Sequence, residues 1–324
     1  MNHMKYLRLL STDPYYNLAV EEYFLRHTDE DVFMLWQNEK TVVIGKNQNA
    51  YAEVDLECAK ADGILVARRL SGGGAVYHDQ GNVNYTFITS CERAKALDYA
   101  YFTRPILEAL DEMGVKAVLS GRNDLECEGK KFSGNAQYTH AGRILHHGTL
   151  LVDTDVTVMS RVLRVDKEKL TYRAVRSHKG RVGNLAPLLG GITVKEFILG
   201  IERHVLHGMG ARPVSVPQND EISALARRNA SREWVCSDKR FLTDYTVKRK
   251  KKYPFGVVCV DMNLSGEIVE QMVISGDFFG TRPVCELENM LTGHPLGALP
   301  HIDPSPYIAG MTREELFDLV RGKN

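Results

Sequence analysis

Three consecutive glycines, Gly72, Gly73 and Gly74, follow Arg68, Arg69 and Ser71 in the run RRLSGGGAVYHDQGNVNYTF, residues 68 to 87. Without a Cβ, such a backbone takes positive φ and lets a second molecule lie against its amides. Successive N–H groups curled into a nest, flanked by guanidinium groups and a hydroxyl, favour an anion such as a phosphate. The dinucleotide and P-loop patterns both open a helix directly behind their glycines. Here AVYH and NVNYTFI alternate and branch as strands do, so the local reading is strand, glycine loop, strand. A plain turn is the competing reading, because glycine runs most often mark turns.

Four further clusters carry groups of chemical use. His78-Asp79 precedes Asn82 and Asn84; Asn123 and Asp124 close GRND; Lys130 and Lys131 open KKFSG; His146 and His147 stand before Gly148 and Thr149. Brought together by strands, they suit stabilisation of phosphate charge, with Asp124 open to a hard cation such as Mg²⁺. Covalent catalysis fits poorly. Neither Ser71 nor Ser133 lies in a GxSxG elbow, and Cys127 reads as a strand packing residue. Strand alternation sends Lys130 and Lys131 to opposite faces, and the small Ser133-Gly134 pair beside Lys131 makes it the inward candidate against the commoner fate of solvation. His78 and Asp79 lack a third ligand at characteristic spacing, so a packed, hydrogen-bonded histidine outweighs a zinc ligand. Of His146 and His147 one points inward, where a structural hydrogen bond is commoner than acid or base work.

The elements that must hold these groups follow from pattern. Asp13-Pro14 is an N-cap and first-turn pair opening a helix to about His27. VFMLWQ and TVVIG read as short apolar strands, a helix runs from about Val54 to Ala61, and ILVARR delivers the glycine loop. A helix from about Leu97 to Met113 precedes the strand VKAVLS. Three strands follow, joined by tight turns at Glu128-Gly129 and Ala141-Gly142. Helical pattern returns over 193–207 and about 220–233. TVKRKKKY, residues 246 to 253, reads as a basic linker or exposed entry, with docking to an acidic surface as the alternative. Beyond it come a hairpin around Leu264-Ser265-Gly266 and helices at about Val284 to Leu291 and Arg313 to Arg321. The fold class is therefore α/β of the α+β type, with mostly antiparallel strands and a second, smaller α/β domain: 1–244 and 245–324.

The whole chain of 324 residues balances 41 Lys+Arg against 41 Asp+Glu, so no overall field favours nucleic acid or an anionic membrane. Six scattered cysteines without a CxxC suit reduced thiols rather than a disulfide framework or zinc site. The start MNHMKYLRLL lacks a long apolar core, and no run approaches a membrane span, so a cytoplasmic protein is expected.

RRLSGGGAVYHDQGN, GRNDLECEGKKFSGNAQ and HHGTLLVDTD, in this order, resemble the three signature blocks of the lipoate-protein ligase family. TVVIGKNQN, RVGNL at 181 to 185 and GDFFG at 276 to 280 extend the likeness over almost the full chain. The resemblance implies the biotin/lipoate ligase fold with a small C-terminal accessory domain. It also implies two half-reactions: lipoate and ATP give lipoyl-adenylate and pyrophosphate, and a carrier lysine then takes the acyl group, releasing AMP. Lipoate, with octanoate as an alternative acid, and apo lipoyl-carrier proteins are the implied partners. ATP and Mg²⁺ are implied, and a monomer is expected. Carried over by motif, Arg69, Ser71, Gly72, Gly73 and Gly74 hold the acyl and phosphate parts. Tyr77, His78 and Asn82 line the nucleotide side, Asn123 and Asp124 approach the phosphates and Mg²⁺, Lys131 bridges carboxylate and α-phosphate, and His147 borders the lipoyl end.

Two departures stand out: Gly180 and Gly183 replace a serine and a threonine usual in the family, and Gly-x-Ser-Pro is missing before the accessory domain. An octanoyl transferase working through a cysteine thioester is the rival on the same fold, although Cys127 in LECEGKK lacks the usual Pro-x-Cys. A non-catalytic module binding lipoyl carriers or a nucleotide is the rival of another class.

Overall fold

The computed structural model describes residues 4–164 and 182–323. Gly180 and Arg181 lie outside the described residues. Two compact units emerge: 1–43 with 55–67 and 76–230, and 44–54 with 68–75 and 231–324.

The first unit is organised by strands Lys5–Arg8 (β1), Val32–Trp36 (β2), Thr41–Ile44 (β3), Leu65–Arg68 (β4), Val76–His78 (β5), Asn82–Ser90 (β6), Val118–Ser120 (β7), Asp124–Cys127 (β8), Lys130–His140 (β9), Arg143–Leu151 (β10) and Arg212–Pro213 (β11). Eight form one sheet in the order β11-β1-β2-β6-β10-β9-β8-β7, and β3 lies between β4 and β5 in a smaller one. Every pairing in the large sheet from β2 to β7 is antiparallel, as expected. The reason is local. At Glu128-Gly129 φ is +51° and +72°, and at Ala141-Gly142 it is +46° and +73°, the doubly positive geometry that joins twisted strands through two residues. β4 and β5, on either side of the glycine loop, each pair with β3 and so do not form a hairpin.

Alternation gives the large sheet two unlike faces. Phe33, Leu35, Tyr85, Phe87, Ile144 and Leu150 enter one apolar core with the helices Tyr99–Glu112 and Val194–Arg203. The helix Pro14–His27 supplies buried Leu18, Glu21 and Leu25, and Asp13 caps it by accepting from the Tyr15 amide at 2.8 Å. Polar side chains also fall on the apolar side, among them Asn135, Gln137 and His146. His146 is fully buried, stacked on Phe102 with ring centres 4.8 Å apart, and its Nδ1 lies 3.1 Å from Gln137 Nε2. It is the structural member of the histidine pair.

The expected helix from Val54 starts later. Val54 is extended and buried, and Asp55 caps Leu56–Ala61.

The second unit corrects the linker reading. Residues Val247–Tyr253 form β12, the edge of a three-stranded antiparallel sheet with Gly256–Ser265 (β13) and Ile268–Gly276 (β14). The charge run disguises a strand whose buried and exposed sides are set by alternation. Tyr253 is buried and donates to the Glu315 carbonyl, and Arg249 reaches the Leu319 and Val320 carbonyls of the helix Arg313–Arg321. Lys248 and Lys252 are exposed, and charged side chains are what a sheet edge tolerates. Val284–Leu291 and Arg313–Arg321 form helices at the expected positions and close an apolar core with Val258, Val260, Phe278, Leu287 and Leu316.

Arg68 ties the chain-distant parts of this unit together. Its guanidinium donates to the carbonyls of Gly45, Lys46, Gln48, Trp234 and Val235 at 2.6–3.0 Å. Burial lowers its pKa to about 10. Arg68→Met leaves those carbonyls without their cation, and we expect a loss of about 3 kcal/mol or more in urea unfolding; an unchanged midpoint would remove the clamp from the account. Burial, with a smaller contribution from His147, holds the His146 pKa well below 6.5. The unfolded chain therefore takes up a proton that the folded chain refuses, so stability is lost as pH falls below about 6.5. His146→Gln should flatten the fall in urea midpoint between about pH 7.5 and 5.5, and an identical slope in both proteins would refute the assignment.

Candidate functional site

In the first unit the candidate residues Asn84, Asp124, Lys131 and His147 lie on the sheet face opposite the aromatic core. A row of residues in register crosses five strands: Asp124 is opposite Gly134, Thr149 opposite Asn84, and Asn84 opposite Trp36. The Gly134 amide donates to the Thr149 hydroxyl at 3.1 Å and joins the two halves.

Lys131 reaches this face because of an irregularity. Leu125 is opposite Ser133 but Glu126 is opposite Lys131, so β9 carries one extra residue, Phe132, which packs in the core. By simple alternation residues 131 and 134 would face opposite ways, and the bulge turns Lys131 to the side of Gly134. Its ammonium meets Asp124 Oδ1 at 2.7 Å, with both side chains about one-third exposed. A Cβ on Gly134 would stand 3.4 Å from that ammonium, so the bare glycine gives the lysine room to lie along the sheet. Lys130 is exposed, as the alternation argument required. Its stem lies 3.0 Å from where a Cβ on Gly183 would be. A threonine there would press on the lysine stem.

Asn123 sits beside this pair as a brace. Its Nδ2 donates to the Asn135 carbonyl at 2.6 Å, while the Asn135 amide and Nδ2 donate to the Asn123 carbonyl at 2.9 and 3.0 Å. These bonds fix the strand of Asp124 against that of Lys131.

Two strands away, Asn82 and Asn84 are buried and joined by Asn82 Nδ2 donating to Asn84 Oδ1 at 2.9 Å. Asn82 Oδ1 and Asn84 Nδ2 have no hydrogen-bond partner among the described residues. A buried polar atom left so costs about 1–3 kcal/mol.

His147 stands opposite Thr86 and faces the first helix, where its Nδ1 lies 3.1 Å from Glu21 Oε1. Glu21 also accepts from the Thr86 hydroxyl, which accepts in turn from Trp36 Nε1 at 2.9 Å. A carboxylate against Nδ1 places the proton there and leaves Nε2 as the nitrogen turned away from Glu21. His78 is buried, 3.1 Å from Asn38 Nδ2 through Nδ1, with its ring edge-on to Trp36. Tyr77 alternates to the other side of β5, and burial, aided by Asp79, pushes its hydroxyl up to about 12. Asp79 accepts from the amides of Gly81 and Asp155, so it holds a turn. Among the described residues no three His, Cys, Asp or Glu side chains gather as a metal cluster. Cys127 is buried, donates to the Lys116 carbonyl at 3.3 Å, and has its pKa raised by burial, features opposed to a thioester nucleophile.

In the second unit the glycine loop is folded around Arg69. Its Nε donates to Ser71 Oγ at 3.1 Å, and NH2 donates to the carbonyls of Gly72 and Gly74 at 2.8 and 2.7 Å. Both arginines thus hold backbone carbonyls at the root of the loop. Across a trans peptide the next N–H points away from the preceding carbonyl. The Gly73 amide accordingly donates to the Phe278 carbonyl of GDFFG at 3.3 Å. Glycine is required here: a Cβ on Gly72 would stand 2.4 Å from the Phe278 oxygen, and Gly73, at φ +90°, would strike the Phe279 ring at 2.9 Å.

The sequence reading missed Glu21 and the carrying of the loop by Phe278. A carboxylate three residues after Leu18 and four before Leu25, on the apolar stripe of a helix, was the available sign of Glu21. Nothing local announced Phe278.

Residues 13–205 match the family described as the lipoyl protein ligase A/B catalytic domain, and residues 243–320 match the bacterial lipoate protein ligase C-terminus. The chain is 35% identical to the lipoate-protein ligase LplJ of Bacillus subtilis, over 95% of this chain and 97% of that one. A bipartite lipoate protein ligase from Thermoplasma acidophilum, solved in a study that includes its E2 lipoyl domain, superposes with a TM-score of 0.64 at 26% identity, covering 76% of this chain and 99% of that one. A lipoate-protein ligase A bound with ATP gives 0.57 at 26%, covering 75% and 96%. Shared sequence along nearly its whole length, on the same mixed sheet, establishes that the chain belongs to the lipoate-protein ligase family and is a ligase.

Proposed function

We propose that the chain activates lipoate with ATP and transfers the lipoyl group to a lysine of apo carrier proteins, the lipoyl domains of 2-oxo-acid dehydrogenases and the glycine-cleavage carrier. Family membership supports the reaction, and one observation carries the mechanism: the Lys131 ammonium, 2.7 Å from Asp124, lying over bare Gly134 on the polar sheet face. A carboxylate oxygen of lipoate attacks the α-phosphorus, and the bond to pyrophosphate breaks as the acyl–phosphate bond forms. The carrier amine then attacks the acyl carbon, a C–N bond replaces the C–O bond to AMP, and the amine loses its proton.

Two anions must meet in the first step, and Lys131 neutralises the charge where they do. Its resting ion pair with Asp124 is one-third exposed, and such pairs are worth about 0–1 kcal/mol, so the ammonium changes partners at little cost. Asp124 fits Mg²⁺ as a hard, accessible carboxylate, since an ion held mainly by phosphates needs only one or two from the protein and supplies neutralisation of the triphosphate. In this reading Asn123 aligns Asp124, Tyr77, His78 and Asn82 line the nucleotide, and Arg69 with Ser71 shapes Gly72, Gly73 and Gly74 for the acyl and phosphate groups. Glu21 orients His147 at the acyl end, where lipoate or octanoate is accepted. Residues 245–324 act as the accessory domain, and the ligase works as a cytoplasmic monomer.

Lys131→Ala should lower lipoate-dependent pyrophosphate release by about 10²–10³-fold with an unchanged circular dichroism spectrum. Full release in that variant would remove Lys131 from the step. Incubating the wild-type chain with a panel of apo carriers, lipoate, ATP and Mg²⁺, read by mass, identifies the acceptor; modification that persists without ATP would instead favour an acyl transferase.

A further inference from the structure

Gly148 leaves a gap on the core face of the large sheet, and two polar side chains meet across it. Tyr85 and Asn135 flank Gly148 in register on either side of β10. A Cβ at 148 would stand 2.1 Å from Asn135 Oδ1 and 2.6 Å from the Tyr85 ring, so the bare glycine lets the Tyr85 hydroxyl donate to Asn135 Oδ1 at 2.5 Å. In the next row His146 lies opposite Gln137, with its Nδ1 3.1 Å from Gln137 Nε2 and its Nε2 3.5 Å from the Tyr85 hydroxyl. None of these four leaves a buried side-chain nitrogen or oxygen without a partner.

The direction of every bond is fixed from one end. The Leu97 amide, which can only donate, meets Gln137 Oε1 at 2.6 Å. Gln137 therefore turns Nε2 to His146 Nδ1, which must accept. Burial keeps that imidazole neutral, so its proton sits on Nε2 and points to the Tyr85 oxygen. Tyr85, its pKa pushed well up by burial, keeps its own proton and gives it to Asn135 Oδ1. Asn135 Nδ2 is left to donate to the Asn123 carbonyl at 3.0 Å and to Ser133 Oγ at 3.3 Å. A turned amide at 135 would set oxygen against the Asn123 oxygen.

That end of the relay is where anchorage matters. Beyond the bulge at Phe132, β8 and β9 share two paired positions, Asp124 with Gly134 and Leu125 with Ser133. Asn135 adds the bonds that follow: its amide and Nδ2 to the Asn123 carbonyl, and its own carbonyl to Asn123 Nδ2.

We propose that Tyr85 is a positioning residue of the adenylation step: fully buried and away from substrate, its hydroxyl acts through Asn135 and Asn123 to set where Asp124 stands beside Lys131. The inference rests on the ligase reading of Asp124 and Lys131. Nitrogen-15 NMR of the histidine-labelled full-length chain at about pH 7.5 should show His146 as the neutral Nε2–H tautomer. The Nδ1–H tautomer overturns the relay without need of a variant. In lipoate-dependent pyrophosphate release, measured well below the melting temperature of each protein, Tyr85→Phe should lower kcat by about tenfold, raise the Mg²⁺ concentration for half-maximal rate, and leave the lipoate KM unchanged. Asn135→Ala should show the same pattern, and the double variant should lose no more than Asn135→Ala alone. An unchanged kcat in Tyr85→Phe, a loss confined to the lipoate KM, or additive losses in the double variant overturns the assignment. Should the wild type release no pyrophosphate with lipoate, ATP and Mg²⁺, the ligase reading fails and this inference with it; release by the wild type with full kcat in Tyr85→Phe fails the inference alone.

Discussion

The antiparallel pairing of β6, β10 and β9 is the constraint on which the first unit depends. Its register decides that Tyr85, Ile144 and Leu150 enter the apolar core, and that Asn84, His147 and Thr149 share the opposite face. A slip of one residue would exchange the two sets, burying polar groups in the apolar layer. The tight turns at Glu128-Gly129 and Ala141-Gly142 resist such a slip, because their positive φ values fit only a two-residue connection. The place where alternation is broken between β8 and β9, at Phe132, is also where Lys131 is turned onto the polar face.

A second constraint governs the glycine loop. Two arginines stand at its root, and neither is left as an open charge. Arg68 gathers five carbonyls from two chain segments, and Arg69 draws in those of Gly72 and Gly74. A guanidinium presents several donors in a rigid plane, so it can order a stretch that has no side chains of its own. The loop is consequently a shaped backbone surface, closed on one side by the Phe278 carbonyl.

Much of this was legible in the chain before any coordinates. Asp13-Pro14, the two hairpin turns and the helices Val284–Leu291 and Arg313–Arg321 lie where capping and turn chemistry placed them. Where reading failed, a second signal had masked the first. Five cations in TVKRKKKY outweighed the period of an edge strand, and the helix onset at Asp55 was hidden by a buried, extended Val54. The order of the three signature blocks carried the family, which composition alone could not.

The sequence by itself determined which groups exist and which local geometry each is offered: a lysine on a strand, a carboxylate next to a turn, two asparagines spaced to share a face, glycines free to bend. Only the tertiary structure decided their partners. Lys131 with Asp124, His147 with Glu21 across 126 residues, and Arg68 with Val235 across 167 are settled by strand register and helix packing. The physical reason is range. Backbone preferences act over a few residues, whereas whether a charged or amide side chain is braced, paired or left with an unsatisfied atom depends on which distant segment arrives to bury it.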